Sequence, residues 1–116
     1  MNPVEAVTPI LNVSDMNRSL RFYVDLLGFK NAEWGDENFT SVSREGGTIL
    51  LCKDGQGQPG TWIYVGVANA REVFDDLSAK GVTMILEGPT NKPWALEVNL
   101  EDPDGHVLRF GSEPEE

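Results

Sequence analysis

Val13-Ser14-Asp15-Met16-Asn17-Arg18-Ser19-Leu20-Arg21-Phe22-Tyr23-Val24-Asp25-Leu26-Leu27-Gly28-Phe29 is the stretch on which the fold turns. Ser14 or Asp15 offers an oxygen to cap a helix N-terminus. Met16, Leu20, Tyr23, Val24 and Leu27 recur at helical spacing, and Phe22 and Leu26 widen that stripe. Gly28 supplies the left-handed residue that ends a helix. Upstream, Val4 to Val13 alternates as a strand does, and Pro9 inside it marks an edge. Downstream, Phe29 to Trp34 reads as a strand and Gly35 to Asn38 as a turn. Phe39 to Ser43 and Thr48 to Cys52 are two further strands around Glu45-Gly46-Gly47.

The same order then begins again. Residues 54–60, with Gly55, Gly57, Pro59 and Gly60, form a linker between a module of residues 5–53 and one of residues 61–112. Thr61 to Val67 is a strand. Asn69 caps a helix with Glu72 as capping-box partner, and Val73, Phe74, Leu77 and Ala79 form its apolar side. Gly81 ends it. Val82 to Leu86 is a strand, Glu87 to Pro93 a loop and Trp94 to Glu101 a strand. Asp102-Pro103-Asp104-Gly105 is a turn, and His106 to Phe110 the last strand. The tail, residues 113–116, has no apolar anchor and is expected to fray. The reading is α+β: two βαβββ modules in tandem, curved mixed sheets around a cleft, helices on the outer face.

Composition narrows the function. The 116 residues include 9 Lys and Arg against 19 Asp and Glu, a net charge of −10. Residues 1–58 hold five basic and eight acidic side chains, and residues 59–116 four and eleven, so the second half is the more acidic. Such a chain repels polyanions, so nucleic acid is excluded as a partner. The longest uncharged run, Gly55 to Ala70, contains too many Gly, Gln and Pro to span a bilayer. The first residues lack a basic stretch followed by an apolar one, and a cytoplasmic protein is expected. One Cys and one His cannot assemble a soft metal site. Cys52, on an apolar strand, reads as buried and inert. No Gly-x-Ser-x-Gly turn and no phosphate loop is present, so no catalytic residue is assigned.

The stretch from Val13 to Phe29, together with Pro93-Trp94 and Asp102-Pro103-Asp104-Gly105-His106-Val107-Leu108-Arg109-Phe110, resembles the vicinal-oxygen-chelate superfamily. That group includes glyoxalase I, bleomycin-resistance proteins and extradiol dioxygenases, and the likeness covers about residues 6–112. The resemblance implies four metal-ligand positions, on the first and last strand of each module. Here they carry Thr8, Leu51, Trp62 and Arg109. None suits a transition metal, and a guanidinium repels one. No cofactor is therefore expected. Among the branches, the metal-free bleomycin-resistance one is the nearest. It implies a homodimer that sequesters a drug in an interfacial cleft.

By alternation Thr8, Leu51, Trp62 and Arg109 should face that cleft, joined by Ile10, Ile49, Tyr64 and Val107. Trp34, Phe39 and Trp94 should border it. Such an apolar, aromatic lining suits a bleomycin-like, aromatic or amphipathic small molecule, and the acidic charge of the chain suits a cationic one. Trp62 either lines the cleft or fills core. Arg109 pairs with Glu97 or Glu101 across the sheet, or Glu97 instead holds a cationic group of the guest. His106 is expected to be an exposed residue at a strand start. The alternatives are a glyoxalase-like lyase or dioxygenase with an atypical site, and a binding module for another hydrophobic metabolite.

Overall fold

Each helix begins at a side chain that accepts a backbone N–H which the helix itself leaves unpaired. In the computed structural model, which describes residues 2–116, Asp15 accepts from the Arg18 N–H at 3.1 Å and starts α1, Met16–Leu20. Asn69 accepts from the Arg71 N–H at 3.0 Å and starts α2, Ala70–Ala79. Glu72 closes no capping box there, and stands in the first turn as a negative charge at the positive end of the helix.

The described residues form two compact units, one ending at Gln58 and the other starting at Pro59. Both are α+β, with a helix and a four-stranded mixed sheet of the same topology.

In the first unit the strands are β1 (Ile10–Val13), β2 (Lys30–Asn31), β3 (Phe39–Arg44) and β4 (Gly47–Lys53), in the order β1-β4-β3-β2. β1 runs parallel to β4, and the other pairs are antiparallel. β1 starts six residues later than the pattern suggests. Pro9 has no N–H to give a ladder, and it contributes only its carbonyl, which accepts from Leu50 N–H at 2.9 Å. α1 does not run to Leu27 as a regular helix. Arg21–Leu26 is a π-helical segment, in which Leu27 N–H reaches back five residues to the Phe22 carbonyl at 3.1 Å. The wider turn resets the helix phase, so neighbouring Phe22 and Tyr23 are both buried. Tyr23 meets Phe22 and Phe29 edge-on, with centroids 5.0 and 6.0 Å apart. Phe29 is thus core and not strand, which leaves β2 with two residues.

The second unit contains β5 (Trp62–Gly66), β6 (Ile85–Asn91), β7 (Leu96–Glu101) and β8 (Val107–Ser112), in the order β5-β8-β7-β6. Again the first and last strands are parallel. α2 packs on β6, β7 and β8. Its Ala70 and Leu77 are buried, as are Leu96, Val98, Leu100, Leu108 and Phe110 of the sheet. The stretch Glu87–Asn91, expected as loop, is strand. β6 shifts register twice against β7, and the second shift, between Glu87 and Thr90, absorbs Gly88 and Pro89. Gly88 sits at φ +108°, where a Cβ would press on the backbone of Glu97 and Val98.

Two further expectations give way. His106 is completely buried. The Asp102 carboxylate accepts from the backbone N–H groups of Asp104 and His106, both at 2.9 Å, which folds the turn inward. His106 Nδ1 then accepts from Thr61 N–H at 3.1 Å, while Val107 N–H reaches the Thr61 carbonyl at 2.9 Å. The imidazole clasps the starts of β5 and β8 together. The tail is also tied down. Arg71 Nε and Nη2 each reach the Glu115 carboxylate at 2.7 Å, and Asn91 exchanges two hydrogen bonds with the Glu115 backbone. No helix among the described residues is long and apolar enough to cross a membrane.

Candidate functional site

Strand pleating sends alternate side chains to opposite faces, so register sorts the side chains of each sheet into two sets. In the second unit Tyr64 pairs with Arg109, Arg109 with Asn99, and Asn99 with Glu87. The next row toward one end is Gly66, Gly111, Glu97 and Thr90, and toward the other end Trp62, Val107 and Glu101. All lie on the face opposite Leu100, Leu108 and Phe110. It is the polar and aromatic face of the sheet. Trp62 is 59% exposed and does not fill the core of its unit.

The glycines decide how the aromatic ring lies. A Cβ on Gly111 would collide with the phenol of Tyr64, so the ring lies along the sheet over the space that Gly111 leaves. Arg109 Cζ stands 5.9 Å from the centre of that ring. The Arg109 guanidinium also grips Glu97 with two hydrogen bonds, Nε to Oε2 at 3.0 Å and Nη2 to Oε1 at 2.9 Å. Lys92 Nζ approaches the same Glu97 Oε1 at 3.2 Å, reaches Glu87 at 3.8 Å, and stands 5.6 Å from the ring centre of Trp94. Trp94, Lys92, Glu97, Arg109 and Tyr64 thus form one continuous chain of contacts.

Electrostatics follow from this geometry. Glu97 is 3% exposed. Burial pushes its carboxyl up, but the hydrogen bonds and charges of Arg109 and Lys92 outweigh that and hold it below the usual glutamate range. The same bonds raise Arg109. Arg109 and Lys92 therefore balance Glu97 and Glu87, and Glu101 leaves the face one negative charge in excess. Of the two roles open to Glu97 in the sequence, the cross-strand pair with Arg109 is the one formed.

The first unit holds the other expected residues. Trp34 is exposed and stands 6.0 Å from Phe39, ring centre to ring centre, at 35°. Asp36 Oδ1 positions this pair by accepting the N–H groups of Asn38 and Phe39, at 2.8 and 3.0 Å. Those bonds hold its carboxyl below the usual range. Phe39 shares its face with Cys52, its cross-strand partner. Cys52 is only half-buried, and its Sγ accepts from Gln56 N–H at 3.5 Å. Thr8 lies half-buried in the segment before β1.

Leu51 does not belong with these residues. β1 pairs with β4 so that Leu51 faces the same way as Leu11, and Ile10 the same way as Leu50. Leu51, Leu11 and Ile49 are buried in the core of the unit. The inferred set of Ile10 with Ile49 and Leu51 is therefore split by one residue of register. In β8, by contrast, register sets Arg109 beside Tyr64 and away from the Leu108 and Phe110 core face.

Glu87, Lys92 and Asn99 of this face were missed. Lys92 lies in an expected loop, although it stands next to Pro93-Trp94. Asn99 lies two residues beyond Glu97 on β7, and strict alternation could have placed it. Asn99 is 8% exposed and its Oδ1 is buried without a hydrogen-bond partner.

The donor set does not fit the metal of the metal-dependent branches. Thr8, Leu51, Trp62 and Arg109 offer no imidazole, carboxylate or thiolate. Among the described residues no three His, Cys, Asp or Glu side chains gather closely enough to hold an ion.

Comparison with known proteins agrees with this architecture. TioX from Micromonospora sp. superposes with a TM-score of 0.81 at 20% identity, over 95% of this chain and 99% of that one. A virulence protein from Salmonella typhimurium gives 0.79 at 20% identity, over 97% and 99%. A superfamily member from Sphaerobacter thermophilus gives 0.76 at 27% identity, over 95% and 98%. No curated protein sequence matches. The family model for the Glyoxalase/Bleomycin resistance protein/Dioxygenase superfamily matches residues 4–110. On that match across nearly its whole length, the chain belongs to the glyoxalase/bleomycin resistance protein/dioxygenase superfamily.

Proposed function

We propose that this protein is a metal-free receptor that sequesters a flat, amphipathic small molecule and changes no bond in it. The observation that carries the reading is the polar and aromatic face of the second sheet. Trp62 and Tyr64 lie exposed there beside a fixed Arg109–Glu97–Lys92 cluster, and among the described residues no metal-ligand set accompanies them. Exposed aromatic rings held by neighbouring cations give a large contact area at little cost in side-chain entropy. In its specific form the guest is a bleomycin-class drug and the receptor a homodimer.

Three measurements test this. Elemental analysis after a chelator wash should find no stoichiometric transition metal. Metal retained at one ion per chain would overturn the metal-free reading and favour an enzyme with displaced ligands. Titration calorimetry with a bleomycin-class drug should show saturable heat at one drug per chain. A flat titration removes the drug-specific form and leaves other flat guests to the tryptophan-quenching assay below. Sedimentation should give a two-chain mass, and a one-chain mass removes the dimer.

A further inference from the structure

Nearly every buried polar group in a folded protein has a hydrogen-bond partner, and an orphan is destabilising. Asn99 is such an orphan. Its side chain is more than nine-tenths buried, its Oδ1 is sealed from solvent, and no side-chain hydrogen bond forms to it. Its neighbours across the ladder are occupied: Arg109 on one side grips Glu97, and Glu87 on the other side lies beside Lys92. A leucine of similar size would fill the position without that penalty. A polar amide is thus retained at the centre of the face, in the row that begins with Tyr64.

A carboxamide has one acceptor end and one donor end, and rotation about its last torsion is soft. Its natural complement is another amide-like edge, an N–H beside a C=O, which it meets with two parallel hydrogen bonds. Arg109 and Lys92 are already matched by Glu97 and Glu87, and Glu101 adds a further carboxylate on the same face. An anionic guest would have to break one of these pairs to be neutralised, and a neutral one would not.

Resting on the receptor reading above, we infer that Asn99 is the specificity-determining residue of this face. It selects neutral, planar guests that carry a lactam or amide edge, with the ring lying toward Tyr64 and Trp62.

The probe is phenanthridinone, a flat neutral lactam, against its N-methyl derivative, which lacks only the N–H. Binding is read by tryptophan fluorescence quenching in the full chain and in Asn99→Leu. The native protein should bind the N–H lactam about tenfold tighter than the N-methyl compound, the worth of roughly one hydrogen bond. In Asn99→Leu that ratio should collapse to about one, while the melting temperature does not fall. A purely structural asparagine would give the opposite pair of results, a lower melting temperature and an unchanged ratio, and this would overturn the inference. Should Asn99→Leu fail to fold, it too counts against the inference, and Asn99→Asp supplies the ratio. Asp keeps the acceptor and should still favour the N–H lactam; an Asp variant without that preference overturns the inference. Equal binding of both compounds by the native protein removes the inference alone. Failure of both to bind removes the receptor reading with it.

Discussion

At the scale of the residue, the most informative side chains are those whose partners lie far away in sequence. Glu97 is a charge on a strand whose other members are mainly apolar, and alone it would be an expensive residue to bury. Bidentate Arg109 and the Lys92 ammonium make it tolerable. His106 is the second case. Its ring fills a fully buried position and its Nδ1 is the acceptor for Thr61 N–H. His106→Ala removes that acceptor, orphans the Thr61 donor and opens a cavity between β5 and β8. We expect a loss of about 2–4 kcal/mol, measured by urea unfolding. A change below about 0.5 kcal/mol would show that the clasp is incidental.

At the scale of the element, local chemistry and tertiary packing compete visibly. α2 follows its local signals: an Asn cap, an acidic first turn and a stop at Lys80-Gly81, where Gly81 adopts φ +74°. Since only the Asn69 side chain satisfies the Arg71 N–H, Asn69→Ala should cost about 1 kcal/mol, read as a lower urea midpoint with unchanged m-value. An unchanged midpoint would mean that packing on β6, β7 and β8, rather than the cap, sets the start of the helix. α1 departs from its local signals. Phe22 and Tyr23 are adjacent, and both are buried in the segment where the helix widens. β6 is the strand that local reading lost. Gly88 and Pro89 punctuate the sequence like a loop, yet β7 holds them in a ladder because the glycine permits a close backbone approach.

At the scale of the whole molecule, charge governs the response to acid. Asp15 and Asp36, held by backbone N–H groups, and Glu97 and Glu115, held by arginines, all have carboxyls lowered in the folded chain. A group whose folded pKa is depressed stabilises the fold above its unfolded value and loses that contribution as pH falls through the folded value. The ordinary values are 3.8 for Asp15 and 4.5 for Glu97. Stability should therefore hold from neutrality down to about pH 5 and then decline steeply. Urea midpoints measured across that range check it, and a midpoint that rises below pH 4.5 would contradict it. The sequence by itself determined the repeat, the order of helices and strands, and the family, because periodicity and glycine stops are local and survive without neighbours. It also carried Trp62, Tyr64 and Arg109 to one face, since alternation along β5 and β8 is regular. Only the tertiary structure decided that Leu51 is core, because strand register is fixed by pairing with β1 and a slip of one residue reverses every side chain. Only it revealed the buried His106 and the Arg71–Glu115 tie. Only it revealed Asn99, because whether a polar group is satisfied depends on atoms that no local pattern brings together.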